Sequence, residues 1–148
     1  LTLRIESELE HVRILGMAVN KVCESIEMDE VTRAHIELCV VEAVTNSIRH
    51  AYEGESGHEV AVRVVADPEC LEVSVIDSGK PVPEDRQGAP DLLLDEDDPD
   101  SVTEGGRGLF LIHTIMDEIH FERDGGVNTL RMVKRVKSAE LSAEKAGV

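Results

Sequence analysis

The sequence predicts an α/β (α+β) sandwich of two layers, with helices covering one face of a mostly antiparallel mixed sheet. Three observations carry this. Apolar residues recur at helical spacing through two early segments, Leu9 to Ile26 and Val31 to Ile48. Val-rich and Leu-rich runs then come in pairs joined by tight turns: Val60–Val65 with Leu71–Asp77, and Ile119–Glu122 with Thr129–Val133. A single further helical pattern, Leu109 to Met116, lies between the two pairs.

In order, Leu1, Leu3 and Ile5 alternate with Thr2, Arg4 and Glu6, as in a short half-buried strand. Ser7 with Glu10 three residues later reads as a capping box for the first helix, which ends near Glu27. Asp29 is placed to cap a second helix that runs to about Tyr52. Glu53-Gly54-Glu55-Ser56-Gly57 is a turn, and Asp67-Pro68-Glu69 closes the first hairpin. From about Lys80 to Gly106 there is little periodicity, and a connection of that length tends to be a lid or a binding segment. The third helix follows, then a last hairpin about Asp124-Gly125-Gly126. The expected order is β-α-α-β-β-lid-α-β-β.

The chain has 148 residues, which fits one domain over 1–148. It is 41% hydrophobic but only 2% aromatic, so Val, Leu and Ile must build the core. A formal charge of -16 argues against a nucleic-acid backbone or an anionic membrane as the main partner. Between Lys80 and Glu104 nine acids face two bases, and the block from Asp95 to Asp100 is the densest. No apolar run is long enough to span a membrane. Cys23, Cys39 and Cys70 form no Cys-x-x-Cys pair, which suits a reduced, cytoplasmic protein.

The chemistry concentrates in Glu42-Ala43-Val44-Thr45-Asn46-Ser47-Ile48-Arg49-His50. Glu42, Asn46 and His50 stand at i, i+4 and i+8, so on an α-helix each lies about 6 Å above the last and nearly in line. Asn46 offers a neutral oxygen to a hard cation, and Mg²⁺ needs few protein ligands when phosphates complete its shell. Glu42, one turn away, is placed to take a proton from a hydroxyl. Asp77-Ser78-Gly79 closes a strand, where a carboxylate can accept from an exocyclic amine while the glycine lets a flat base approach. Gly105-Gly106-Arg107-Gly108 stands directly before the third helix and offers N–H groups to phosphate. It is neither a Walker A loop nor a dinucleotide fingerprint.

Taken together, Glu42-x-x-x-Asn46, Asp77-x-Gly79, a long lid over about 80–106, and Gly106-x-Gly108-Leu109 resemble the ordered boxes of the Bergerat-fold (GHKL) ATPases, the histidine-kinase-like ATPase domains. Within them the chain most resembles the anti-sigma factor serine/threonine-protein kinases. The resemblance implies ATP and Mg²⁺ as cofactors. It implies Mg²⁺ on Asn46, Glu42 as catalytic base or orienter, and adenine on Asp77 beside Gly79. It further implies support of adenine by Thr129 from a neighbouring strand, and lid contacts from Gly106, Gly108 and the adjoining Leu109. Arg107 would lie near the triphosphate and His50 would face the phosphates. It also implies a STAS-domain anti-anti-sigma partner, a sigma factor held in turn, and a homodimer formed near the first strand and helix. Two other readings share these boxes. One is the catalytic module of a histidine kinase, with His11 superficially like a phosphoacceptor. The other is a nucleotide-dependent binding protein without turnover.

Overall fold

A computed structural model of the chain describes residues 1–88 and 104–136. Its sheet runs in the order β1 (Thr2–Glu6), β2 (Glu59–Ala66), β3 (Cys70–Asp77), β5 (Val127–Arg135), β4 (Glu118–Asp124). The sheet expected to be mostly antiparallel is antiparallel at all four described pairings. Three helices, α1 (Val12–Ser25), α2 (Glu30–Asn46) and α3 (Glu104–Ile115), supply the second layer. The acidic block Asp95–Asp100 and the rest of the lid from 89 to 103 lie outside the described residues.

Side-chain alternation decides which face of the sheet is covered. Val60, Val62 and Val64 of β2, Leu71, Val73 and Val75 of β3, and Met132 of β5 are buried in one cluster. They pack with Leu15 and Val19 of α1, Ile36, Val40 and Val44 of α2, and Ile112 of α3. Asp77 continues the 71-73-75 parity, so the strand delivers a carboxylate to the edge of the helix-covered face. The other face carries Arg131 between Glu72 and Glu122, at 3.6 and 3.5 Å. Leu3 and Ile5 pack against the core while Leu1 is exposed.

The turns follow their residues. Asp67 Oδ1 accepts from the N–H groups of Glu69 and Cys70 at 2.7 and 2.8 Å, so the side chain closes the β2–β3 hairpin itself. Gly125 and Gly126 sit at φ 57° and 79°, the left-handed values that a two-residue hairpin turn requires. Asp29 caps α2 as expected, accepting from Thr32 N–H at 3.0 Å and Thr32 Oγ1 at 2.6 Å.

Ser7 departs from expectation. It caps no helix: α1 is entered through a 3₁₀ turn, Leu9–His11, whose preceding residue is Glu8. The buried Ser7 hydroxyl instead donates to the Glu55 carbonyl at 2.6 Å and accepts from His58 N–H at 3.1 Å. The hydroxyl thereby ties the 53–58 turn to the end of β1.

The second helix does reach Ala51, but its last turn, Ser47–Ala51, is π-helical. Tyr52 N–H donates to the Ser47 carbonyl at 3.1 Å, five residues back. Tyr52 then ties this wide turn to the sheet. Its hydroxyl donates to the Glu59 carbonyl at 2.7 Å and accepts from Ser78 N–H at 2.8 Å, while its ring stacks on His58. Burial pushes the phenol above its ordinary value.

Cys23, Cys39 and Cys70 are free thiols. Burial pushes Cys23 up to about 11 and Cys39 up to about 12, so both act as small core hydrophobes. No helix among the described residues is long and apolar enough to cross a membrane.

Two outcomes test this frame. Bonds from the Thr32 hydroxyl and then its N–H hold the Asp29 carboxyl below its ordinary 3.8. Its contribution is therefore complete above that value and is lost as acid protonates the folded cap. Asp29→Ala lowers Tm at neutral pH, and the difference from wild type vanishes well below pH 3.8. Tyr52→Phe removes a bridge between the Ser78 N–H and the Glu59 carbonyl, which costs about 0.5–1.5 kcal/mol in urea unfolding. An unchanged midpoint would refute the bridge.

Candidate functional site

The site is built where the end of α2 meets the end of β3. Asp77 is its hub, a 7% exposed carboxylate. Its Oδ2 accepts from Ser47 Oγ at 2.8 Å. Its Oδ1 accepts from Gly79 N–H at 3.0 Å and from Asn128 Nδ2 at 2.7 Å. A carboxylate has about four acceptor positions, so one remains, on Oδ2. An acceptor-only group with one free lone pair suits a single amine donor, as the expected base offers.

The loop after Asp77 is clamped to the π turn. Lys80 N–H donates to the Ala51 carbonyl at 2.9 Å. Gly79 lies so close to Ala51 that an added Cβ would stand 2.8 Å from the Ala51 Cβ and closer still to its carbonyl. The backbone that approaches this glycine is therefore that of Ala51, and no side chain fits between.

Glu42 and Asn46 stand one turn apart on α2, both partly exposed. Among the described residues neither side chain makes a hydrogen bond or ion pair. The donor set fits the group that the resemblance implies: a free amide oxygen for a hard cation, beside a free carboxylate for a proton. His50 stands in the π turn and is exposed. The smaller rotation per residue in that turn keeps it close to the line of Glu42 and Asn46.

Helix α3 begins at Glu104, so the glycine cluster expected before it lies within its first turns. The unbonded N–H groups of a helix start are those of its first turn, which places Gly105 and Gly106 among the donors. Gly108 serves differently. It is buried, and a Cβ there would run into the Glu42 carboxylate, 3.3 Å from its Cδ and nearer to Oε2. The missing side chain is what lets α3 lie against Glu42. Arg107 is exposed and Leu109 partly buried. At the base of the lid His113 Nε2 meets the Gln87 carbonyl at 3.2 Å.

Thr129 is not brought to the site. The β3–β5 register pairs it with Ile76, on the face away from the helices, and pairs Asn128 with Asp77. Opposite residues of an antiparallel pair share a face, so Asn128 takes the supporting place. Its Nδ2 also lies 3.1 Å from the Gly79 carbonyl and 3.2 Å from that of Lys80. Arg123 Nη1 donates to Asn128 Oδ1 at 2.6 Å and to the Gly79 carbonyl at 3.2 Å.

Sequence reasoning missed Ser47, Tyr52, Asn128 and Arg123 as site residues. Ser47 carried one signal, a small hydroxyl directly after Asn46 on the apolar side of the helix. Asn128 carried none without the register, because its partner strand lies 51 residues away.

Comparison with known proteins supports the fold and shows the family. The family described as histidine kinase-like ATPase domain matches residues 5–134. Serine-protein kinase RsbW of Bacillus licheniformis is 32% identical over 126 residues, covering 84% of this chain and 78% of that protein. The protein of the same name from Listeria monocytogenes is 28% identical over 142 residues, covering 95% of this chain and 90% of its own. Among solved structures, the RsbU and RsbW domains of a Mycobacterium tuberculosis protein superpose with a TM-score of 0.58 at 18% identity, covering 93% of this chain and 34% of that one. The Pseudomonas aeruginosa SiaB–SiaC complex gives a TM-score of 0.54 at 15% identity, covering 90% and 89%, a likeness of fold. On a match that runs through nearly all of its described strands and helices, the chain belongs to the histidine kinase-like ATPase domain family.

Proposed function

We propose that this protein is an ATP- and Mg²⁺-dependent protein-serine kinase that acts as an anti-sigma factor in a cytoplasmic partner-switching system. Its substrate is a serine on a STAS-domain antagonist. The unphosphorylated antagonist occupies the kinase; once phosphorylated it leaves, and the kinase, as a homodimer, holds a sigma factor. The observation that carries the reading is the Glu42 carboxylate, unpaired among the described residues, one turn from Asn46 and seated against Gly108 at the start of α3. The relatives named serine-protein kinase supply the class of acceptor.

In this reading Asp77 Oδ2 accepts from the adenine amine. The N–H groups of the first turn of α3 point at the phosphates, where the helix dipole also favours negative charge. Asn46 would hold Mg²⁺, whose charge would offset that of the phosphate chain. The serine oxygen forms the new bond to the γ-phosphorus, the bond to the ADP oxygen breaks, and Glu42 takes the serine proton. Phosphoryl transfer asks the protein mainly for positioning and charge stabilisation, and Gly108 contributes by leaving Glu42 its room. Arg107 and Leu109 border the same helix start.

The test is incubation of the purified chain with labelled ATP, Mg²⁺ and a STAS-domain protein encoded beside it. Serine phosphate is expected on the partner. Glu42→Gln reduces transfer about 100-fold or more while ATP still binds, the range for loss of a general base. Transfer at the wild-type rate would remove Glu42 from the reaction, and binding without any transfer by wild type would make the protein a nucleotide-dependent binder. Asn46→Ala abolishes the Mg²⁺ dependence of ATP binding, read by calorimetry with and without the metal. Gly108→Ala pushes the Glu42 carboxylate aside and lowers the transfer rate more than the ATP affinity; the opposite pattern would mean that Gly108 serves the phosphates.

A further inference from the structure

We propose that Asn128, oriented by Arg123, is the residue that makes the Asp77 site select a 6-amino over a 6-oxo purine. The inference rests on Asp77 being the base-reading carboxylate of the proposed function, and deepens it by naming what fixes the reading.

The argument begins with the lone pairs. Oδ1 of Asp77 receives two donors, Gly79 N–H and Asn128 Nδ2, and is full. Oδ2 receives one, from Ser47 Oγ. A base can therefore approach only at Oδ2, and only with a donor. A 6-amino group meets that demand. A 6-oxo group sets a second acceptor against the carboxylate, and a site built to pair with a donor rejects an analogue that lacks one far more strongly than shape alone would.

This selectivity holds only while the carboxylate is prevented from turning. The terminal torsion of Asp is broad, so the hydrogen bonds must hold it. Ser47 and Gly79 are local to the helix end and the loop. Asn128 comes from the neighbouring strand and spans Asp77, the Gly79 carbonyl and the Lys80 carbonyl at 2.7, 3.1 and 3.2 Å. It fastens the carboxylate and the loop behind it with one amide.

An amide can face either way, and the wrong way would set its oxygen against the carboxylate. Arg123 excludes that. Its guanidinium has only donors, and Nη1 lies 2.6 Å from Asn128 Oδ1. Arg123 and Asn128 are direct cross-strand partners in the β4–β5 ladder, so the last hairpin itself sets the orientation. The charge also strengthens the bond it makes to the amide. Arg123 is thus a positioning residue that acts on the base through Asn128 and Asp77.

The experiment is calorimetric titration of ATP and of GTP into wild type, Asn128→Leu, Asn128→Thr and Arg123→Met. Loss of a hydrogen bond to a charged group predicts that Asn128→Leu weakens ATP about tenfold or more. GTP, which never used the fixed Oδ2, changes little, so the preference for ATP falls by a similar factor. Asn128→Thr keeps a donor on a strand-favouring residue and recovers most of the preference. Arg123→Met alters an exposed side chain, leaves folding untouched, and reduces the preference about threefold. Equal losses for both nucleotides, or no rescue by threonine, would make Asn128 merely structural and overturn the inference. So would ATP affinity within twofold of wild type in both Asn128→Leu and Arg123→Met. A wild-type chain that binds neither nucleotide overturns the proposed function and this inference together. One that binds ATP with unchanged preference in the variants overturns this inference alone.

Discussion

A buried carboxylate demands donors, and the site is organised around meeting that demand at Asp77. Three elements each send one: Ser47 from the end of the helix, Gly79 from the loop that follows, Asn128 from the last strand. Leaving any of the charge unmet would cost more than the bonds return. The carboxylate thereby determines how closely the helix end, the loop and the last hairpin approach one another. The π turn belongs to the same requirement. It satisfies the Ser47 carbonyl through Tyr52 and leaves the Ala51 carbonyl to Lys80, so the helix end and the base loop share their backbone bonds.

The second constraint is made of missing atoms. Gly79 permits contact with Ala51, and Gly108 permits contact with Glu42. Neither residue has a positive φ, so conformational freedom is not the reason for a glycine at either place. On the proposed function, one glycine closes the base end of the site against the end of that helix, and the other closes the phosphate end against α2. Both ends are thus referred to α2, which gives the distance between base and phosphates a rigid ruler. At its far end α3 is held by the sheet, where Lys134 Nζ donates to the Ile115 carbonyl at 2.9 Å.

Much of this was legible in the residues, for identifiable reasons. Helices and strands announced themselves by period, and the Asp67 and Gly125-Gly126 turns by chemistry that acts within a few positions. Asp29 was readable as a cap for the same reason. Ser7 was not, because its partners lie 48 and 51 residues away. Thr129 and Asn128 show the limit most sharply. They are adjacent, both polar and both on β5, and only the cross-sheet register separates the face of Asp77 from the face of Ile76. A one-residue difference in register exchanges the two, and nothing local to Gly126-Val127-Asn128-Thr129 decides it. The π turn that carries His50 was not legible either, because the widening of the last helical turn depends on the bonds that Tyr52 and Lys80 make to it.

The charge of the chain explains why so much order is built at the base end. A protein of net charge -16 offers a triphosphate no long-range attraction, and at physiological salt fields from exposed charges fade within about 8 Å. Recognition must then come from contact, and contact is effective when its groups are already in place before the ligand arrives. The base end meets that condition: every donor around Asp77 is paired, and one acceptor position is left. The phosphate end differs. Glu42 and Asn46 have no partners among the described residues, so their geometry is completed by what binds. On the proposed function, a site rigid where it selects and open where it reacts discriminates by the base first, and lets the metal and the phosphates set Glu42 and Asn46 only for the nucleotide that passes.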